Sequence, residues 1–148
     1  MECWSCKSNS GEKRISPGDP IYEGKYWLVE HIYPTSLKGW LVIVLKRHAE
    51  ALHELSVDEF VELGLLQAKL TRLLFEVTKC EKEYFSCFAE ANHFNHIHVH
   101  VFARPTDRDD LKGINSFSVL KTEEKDSLSR EEIAVFCNLL KSHFAQIM

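Results

Sequence analysis

His96-Ile97-His98-Val99-His100 places three of the chain's eight histidines at period two, between apolar residues. Successive side chains of a β-strand point to opposite faces, so the stretch reads as a strand with three imidazoles on one face. Ile97, Val99 and Val101 then point the other way, toward a core. A chance grouping is a poor account of this ledge. Neighbouring imidazoles repel one another when protonated and waste hydrogen bonds when buried without partners. Two chemistries remain open. Alternate strand histidines suit a zinc site. A neutral imidazole also attacks phosphorus directly, giving a covalent intermediate that water cleaves, while adjacent imidazoles donate to the phosphoryl oxygens.

A strand of this kind needs a sheet around it. Trp40-Leu41-Val42-Ile43-Val44-Leu45 is continuously apolar and reads as a central strand covered on both faces. Residues 25–33 read as a strand by β-branched and aromatic content, joined to it through a turn at 34–39. Residues 83–89 and 97–103 read as two more strands. Ser56-Val57-Asp58-Glu59 is a capping box opening a helix to about Lys79, with Phe60, Leu63, Leu70, Leu73, Leu74 and Val77 on its apolar face and Leu66 and Val61 at its edges. Gly64 is expected to let that helix approach the sheet closely. Ser129-Arg130-Glu131-Glu132 is a second capping box. It opens a C-terminal helix within 128–147, with Ile133, Phe136, Cys137, Leu140, Phe144 and Ile147 on one face. Residues 1–20 read as irregular and 106–127 as mostly charged loop, apart from a short apolar patch from Phe117 to Leu120. The sum is an α+β fold, a single domain over 1–148, with a mostly antiparallel sheet, one long helix and a terminal helix.

Composition narrows the partners. The 148 residues are 45% hydrophobic with a formal net charge of -4 and no long basic run, which argues against a nucleic-acid polymer as ligand. Small phosphorylated ligands need only local donors and stay open. No stretch approaches the roughly 18 apolar residues of a membrane span. The polar N-terminus lacks a signal pattern, and five cysteines without one read as reduced thiols, so a cytoplasmic location is expected.

Cys3-x-x-Cys6 is half of a zinc site, a redox pair, or two free thiols. Zinc needs two more ligands, for which His48, His53 and His96 are available. His48 follows Lys46-Arg47 at a strand end, while His53 reads as a surface or capping residue. Asn92 and His93 precede the histidine strand and can fold over its open face. Asn92 offers amide donors to a phosphate or leaving group; both residues equally suit a turn. Arg104 reads as a surface charge or dimer contact. Trp40 and Tyr33 can wall an aromatic base pocket, though an ordinary core role suits Trp40 better.

His96-Ile-His98-Val-His100-Val101-Phe102 resembles the signature of the histidine-triad (HIT) family. The resemblance extends to 39–48, which ends in Lys46-Arg47-His48, and covers about residues 3–104. The cysteine pair resembles that of zinc-containing bacterial members. The resemblance implies a HIT-like domain with a five-stranded sheet and a homodimer. It implies a nucleotide hydrolase or nucleotidyl transferase, cleaving a phosphoanhydride or phosphoramidate bond through a covalent nucleotidyl-histidine intermediate. Adenosine-containing substrates such as dinucleoside polyphosphates are implied. On this resemblance His98 is the nucleophile, His100 contacts the phosphate, and His96 belongs to the active-site hydrogen bonds. Structural zinc carries over to Cys3, Cys6, His48 and His96. The alternative is a zinc-stabilised nucleotide-binding protein with little catalysis. The sequence also departs from the family pattern. Trp40 stands where a further histidine is common, Ala91-Asn92 where Gly-Gln is usual, and His93 where a serine or threonine donor is usual. The residue that holds the ribose hydroxyls aligns near His31, with Glu30 beside it, so substrate-binding roles fall to Asn92, His93, His31 and Glu30.

Overall fold

The computed structural model describes residues 2–147. Its strands are β1 (Tyr22–Glu23), β2 (Trp27–His31), β3 (Trp40–Leu45), β4 (Lys82–Ser86) and β5 (His98–Arg104). They form one five-stranded sheet in the order β1-β2-β3-β5-β4, with every neighbouring pair antiparallel. The apolar run of β3 lies at the sheet's centre because both its faces are covered. The α-helices are α1 (Trp4–Asn9), α2 (Val57–Thr78) and α3 (Arg130–Phe144).

Both capping boxes form. Ser56 accepts from the Glu59 amide at 3.2 Å while Glu59 accepts from the Ser56 amide at 2.8 Å. Ser129 and Glu132 repeat the arrangement. Helix α2 ends at Lys79, which adopts the left-handed conformation (φ 56°). One face of the sheet receives α2 and α3. There Leu70, Leu73, Leu74, Ile133 and Leu140 pack against Trp27, Val29, Leu41, Ile43, Val99 and Val101. Leu70, Leu73 and Leu74 are fully buried, so truncating any one to alanine costs about 2–5 kcal/mol.

The helix face differs from its expected composition. Phe60 and the edge residue Val61 are exposed, whereas Glu59 is buried and the edge residue Leu66 belongs to the core. Gly64 is exposed, with nothing within 4 Å of where a Cβ would stand, so close approach to the sheet is not its role. Gly39 is the glycine that matters. It turns the chain between β2 and β3 at φ +100°, and a Cβ there would meet the Ala103 Cβ at 3.2 Å.

Residues 4–9, expected to be irregular, form a helix. The Cys3 thiol caps it by accepting from the Cys6 amide at 3.3 Å. Asn9 ties it to the sheet by donating to the Leu45 carbonyl at 2.9 Å. The segment after β5, expected as loop, folds into short 3-10 turns at Asp109–Leu111, Gly113–Lys121 and Glu124–Asp126. It lays Leu111 and Val119 over Trp40 and Phe102, on the face opposite the helices. Arg104, expected at the surface, is buried there and donates to the Tyr84 hydroxyl at 3.1 Å. Among the described residues, no helix is long and apolar enough to cross a membrane.

Candidate functional site

Strand register decides which side chains meet on the face opposite α2 and α3. Glu30 pairs with Val42, Val42 with His100, and His100 with Ser86, so these four make one row across the sheet. Val44 and His98 make the next row. Glu30, Val42, Val44, His98 and His100 line a cavity of about 330 Å³. Its other walls come from Ile32, Tyr33, Pro34, Phe94 and Leu120, and from the N-terminal segment through Ser5, Ser8, Asn9, Ile15 and Ser16.

The two cavity histidines are held by different partners. His98 Nδ1 lies 2.7 Å from the His96 carbonyl, which only accepts, so Nδ1 carries the proton and Nε2 keeps a lone pair. The orienting carbonyl comes from the same chain segment, two residues back, and not from a neighbouring one. Burial lowers the His98 pKa, opposed by that carbonyl, so the neutral ring is the stable form. His100 Nδ1 instead accepts from the Trp40 indole N–H at 3.0 Å. Burial, then repulsion from His98, pulls His100 down to about 4. The His98 and His100 rings stand edge to face with centroids 5.2 Å apart.

His96 lies before β5 and is fully buried. Its Nε2 is 2.7 Å from the Leu45 carbonyl, which leaves Nδ1 unprotonated. That Nδ1 lies 3.4 Å from the Cys3 thiol, 3.5 Å from that of Cys6 and 3.3 Å from His48 Nδ1. The Cys6 thiol is 3.4 Å from His48 Nδ1, and the donor atoms of Cys3, Cys6, His48 and His96 all lie within 4.8 Å of one another. Tetrahedral zinc, with bonds of about 2.0 Å to nitrogen and 2.3 Å to sulfur, needs edges of about 3.3 Å between nitrogens and about 3.5 Å from nitrogen to sulfur. The cluster therefore fits that ion in donor type, number and spacing. The outer contacts fit too. His96 Nε2 faces a carbonyl, and His48 Nε2 lies 3.3 Å from the Glu50 carboxylate, the arrangement that orients metal-bound imidazoles. Burial and the Cys3 thiol push the Cys6 thiol up to about 11, so forming a thiolate there calls for a cation. His53 is exposed on a 3-10 turn and takes no part.

The other expected residues fall in different places. Glu30 is buried in the cavity and accepts from Arg14 at 3.0 Å. His31 is not in the cavity. It alternates to the helix side of β2, where it is fully buried against Phe136. Its Nδ1 donates to the Ile32 carbonyl and its Nε2 accepts from the Gly39 amide. Burial lowers its pKa to about 4, so it is a satisfied neutral core histidine. Asn92 is exposed and does not line the cavity. His93 does not line it either; its ring stacks on Trp4 with centroids 4.2 Å apart, and its carbonyl accepts from the Trp4 amide. Arg47 is no idle strand end, since it grips both oxygens of buried Glu59 at 2.9 Å. Arg14 and the α1 wall carried no local signal, because only the folded chain brings residues 5–16 to β2.

No family model matches the chain, and no curated protein does. Solved structures do match in fold. A Zn-bound histidine triad family protein from Mycobacterium smegmatis superposes with a TM-score of 0.70 at 19% identity, covering 99% of this chain and 95% of that one. A histidine triad protein from Bradyrhizobium japonicum gives 0.70 at 22% identity over 95% and 97%. The diadenosine triphosphate hydrolase of Plasmodium falciparum gives 0.65 at 14% identity over 86% and 76%. The chain has the histidine-triad fold.

Proposed function

We propose that this chain is a nucleotide hydrolase or nucleotidyl transferase working through a covalent nucleotidyl-His98 intermediate. The observation that carries the reading is the His98–His96 carbonyl bond, which leaves a neutral His98 Nε2 beside His100 in a nucleotide-sized cavity. A substrate's nucleoside would lie along Ile32, Val42 and Val44, with Glu30 available to its sugar hydroxyls. The His98 Nε2 lone pair attacks the phosphorus bonded to the nucleoside, and the leaving group departs with the electrons of the broken bond. The His96 carbonyl holds the Nδ1 proton as the ring gains positive charge. His100 donates Nε2–H to the phosphoryl oxygens, whose charge shifts in the transition state. Water then attacks the phosphorus, releases a nucleoside monophosphate and returns the electron pair to Nε2.

The fold likeness to a diadenosine triphosphate hydrolase supports a dinucleoside polyphosphate as one substrate. The likeness to a Zn-bound relative, with the donor spacing, supports a structural zinc on Cys3, Cys6, His48 and His96. Such an ion has no open position for substrate; it would balance two thiolates and pin residues 3–6 beside β3 and the segment before β5. A homodimer belongs to the same reading, and sedimentation tests it.

The test is release of AMP from a panel of diadenosine polyphosphates and adenosine phosphoramidates. Wild type should turn over at least one class, and His98→Asn should fall by a factor of about 10³ or more. No turnover across the panel, or undiminished turnover in His98→Asn, overturns the reading. Tight AMP binding without turnover would favour a binding protein instead.

A further inference from the structure

Trp40 is 1% exposed and packs on Phe102 and Phe117, which hold its indole N–H toward His100. An indole N–H can only donate. Its 3.0 Å bond to His100 Nδ1 therefore needs a lone pair on that nitrogen. The ring's one proton then sits on Nε2, the nitrogen left for the cavity.

We propose that Trp40 is a specificity-determining positioning residue: it locks His100 as a neutral Nε2–H donor that cannot supply a proton to a leaving group, so the site favours phosphoanhydrides over alkyl phosphoramidates. This rests on the catalytic reading above. Donating the Nε2 proton would turn a neutral, indole-bound ring into an imidazolate, which is out of reach near neutral pH. Serving as an acid requires an imidazolium, and that requires Nδ1 to give up the indole. Burial and the His98 ring oppose that charge as well. The remaining titratable groups among the described cavity residues do not replace it. Glu30 is ion-paired to Arg14, His98 spends its N–H on the His96 carbonyl, and the Tyr33 ring is held under the Arg130 guanidinium at 4.1 Å.

The two substrate classes differ in what departs. When a phosphoanhydride breaks, the bridging oxygen takes the electron pair and leaves as a phosphate anion, with no proton required. When a phosphoramidate breaks, the nitrogen takes the pair and must gain a proton as it leaves, since the amide anion it would otherwise become is far too strong a base to be expelled in water. A positioned acid contributes about 10²–10⁴ to such a step. The lock removes that contribution from one class only.

The first measurement uses the wild-type protein with ¹⁵N-labelled histidine. At neutral pH, NMR should report His100 Nδ1 as unprotonated and Nε2 as protonated. A dominant Nδ1–H tautomer or an imidazolium overturns the lock. The second compares kcat/KM for a diadenosine polyphosphate and an adenosine alkylphosphoramidate. Wild type should favour the anhydride by about 100-fold or more. Trp40→His supplies a ring that can accept as well as donate, and should shrink that preference at least tenfold; Trp40→Phe should blur the two nitrogen signals and slow the anhydride. An unchanged preference in Trp40→His overturns the specificity role. Failure of the catalytic reading shows differently, as no turnover of either class with the His100 signals intact.

Discussion

His31 and His100 are both buried neutral imidazoles, and what separates them is the partner of each nitrogen. His31 spends both on its own backbone, at Ile32 and Gly39, and is therefore chemically idle. His100 spends one on Trp40 and keeps the other for the cavity. Idleness still carries a pH signature. Unfolded, His31 takes a proton near the ordinary value of 6.5; folded, it resists down to about 4. Between those values the unfolded chain binds more protons, so stability falls as pH falls through the window and levels off below it. The loss amounts to roughly 3 kcal/mol at most. Glutamine can replace both hydrogen bonds without titrating. His31→Gln should therefore lose less stability than wild type between about pH 6.5 and 4 in urea melts, and parallel losses would contradict the assignment. Alternation along β2 already separates Glu30 from His31 by face. Only one of two adjacent residues can face the cavity over this sheet, and Glu30 is the one that lines it.

Elements stabilised by near neighbours were legible in the sequence, and elements stabilised from afar were not. Both capping boxes join residues three apart, and both helices start where those boxes predict. Ser56→Ala should cost about 1 kcal/mol, read as a lower urea midpoint at unchanged slope; a midpoint equal to wild type would show that the cap contributes nothing. Helix α1 has six residues, too few to persist by propensity, and is held by Asn9 on Leu45 and by Trp4 on His93. No window around residue 4 contains those partners. The same reasoning covers Phe60. Its helical spacing fits the apolar face, but Glu59 turns inward to meet Arg47, and Phe60 faces solvent.

At the scale of the whole molecule, the Cys/His cluster and the cavity share a wall. Cys3 and Cys6 anchor the segment that carries Ser5, Ser8 and Asn9 into the cavity, and His96 joins the cluster by its ring and His98 by its carbonyl. The triad's period-two spacing made the strand legible, and the cluster's ligands could be named from the family resemblance. The wall could not, because it depends on residues about 90 positions apart in sequence meeting in space. Metal removal should therefore act on ligand binding as well as on stability. After chelation, AMP should bind at least about tenfold more weakly by calorimetry, with recovery on adding zinc, a loss of about 1.4 kcal/mol. Equal affinity before and after would separate the cluster from the cavity.

Covalent chemistry at His98 would leave an adenylylated histidine during turnover. Rapid acid-free quenching during turnover of a diadenosine polyphosphate, followed by mass spectrometry of peptides, tests it directly. One adenylyl group is expected on the peptide containing residues 96–100, located on His98 and absent from His98→Asn. Steady turnover with no adduct on that peptide, or an adduct that persists in His98→Asn, would contradict it.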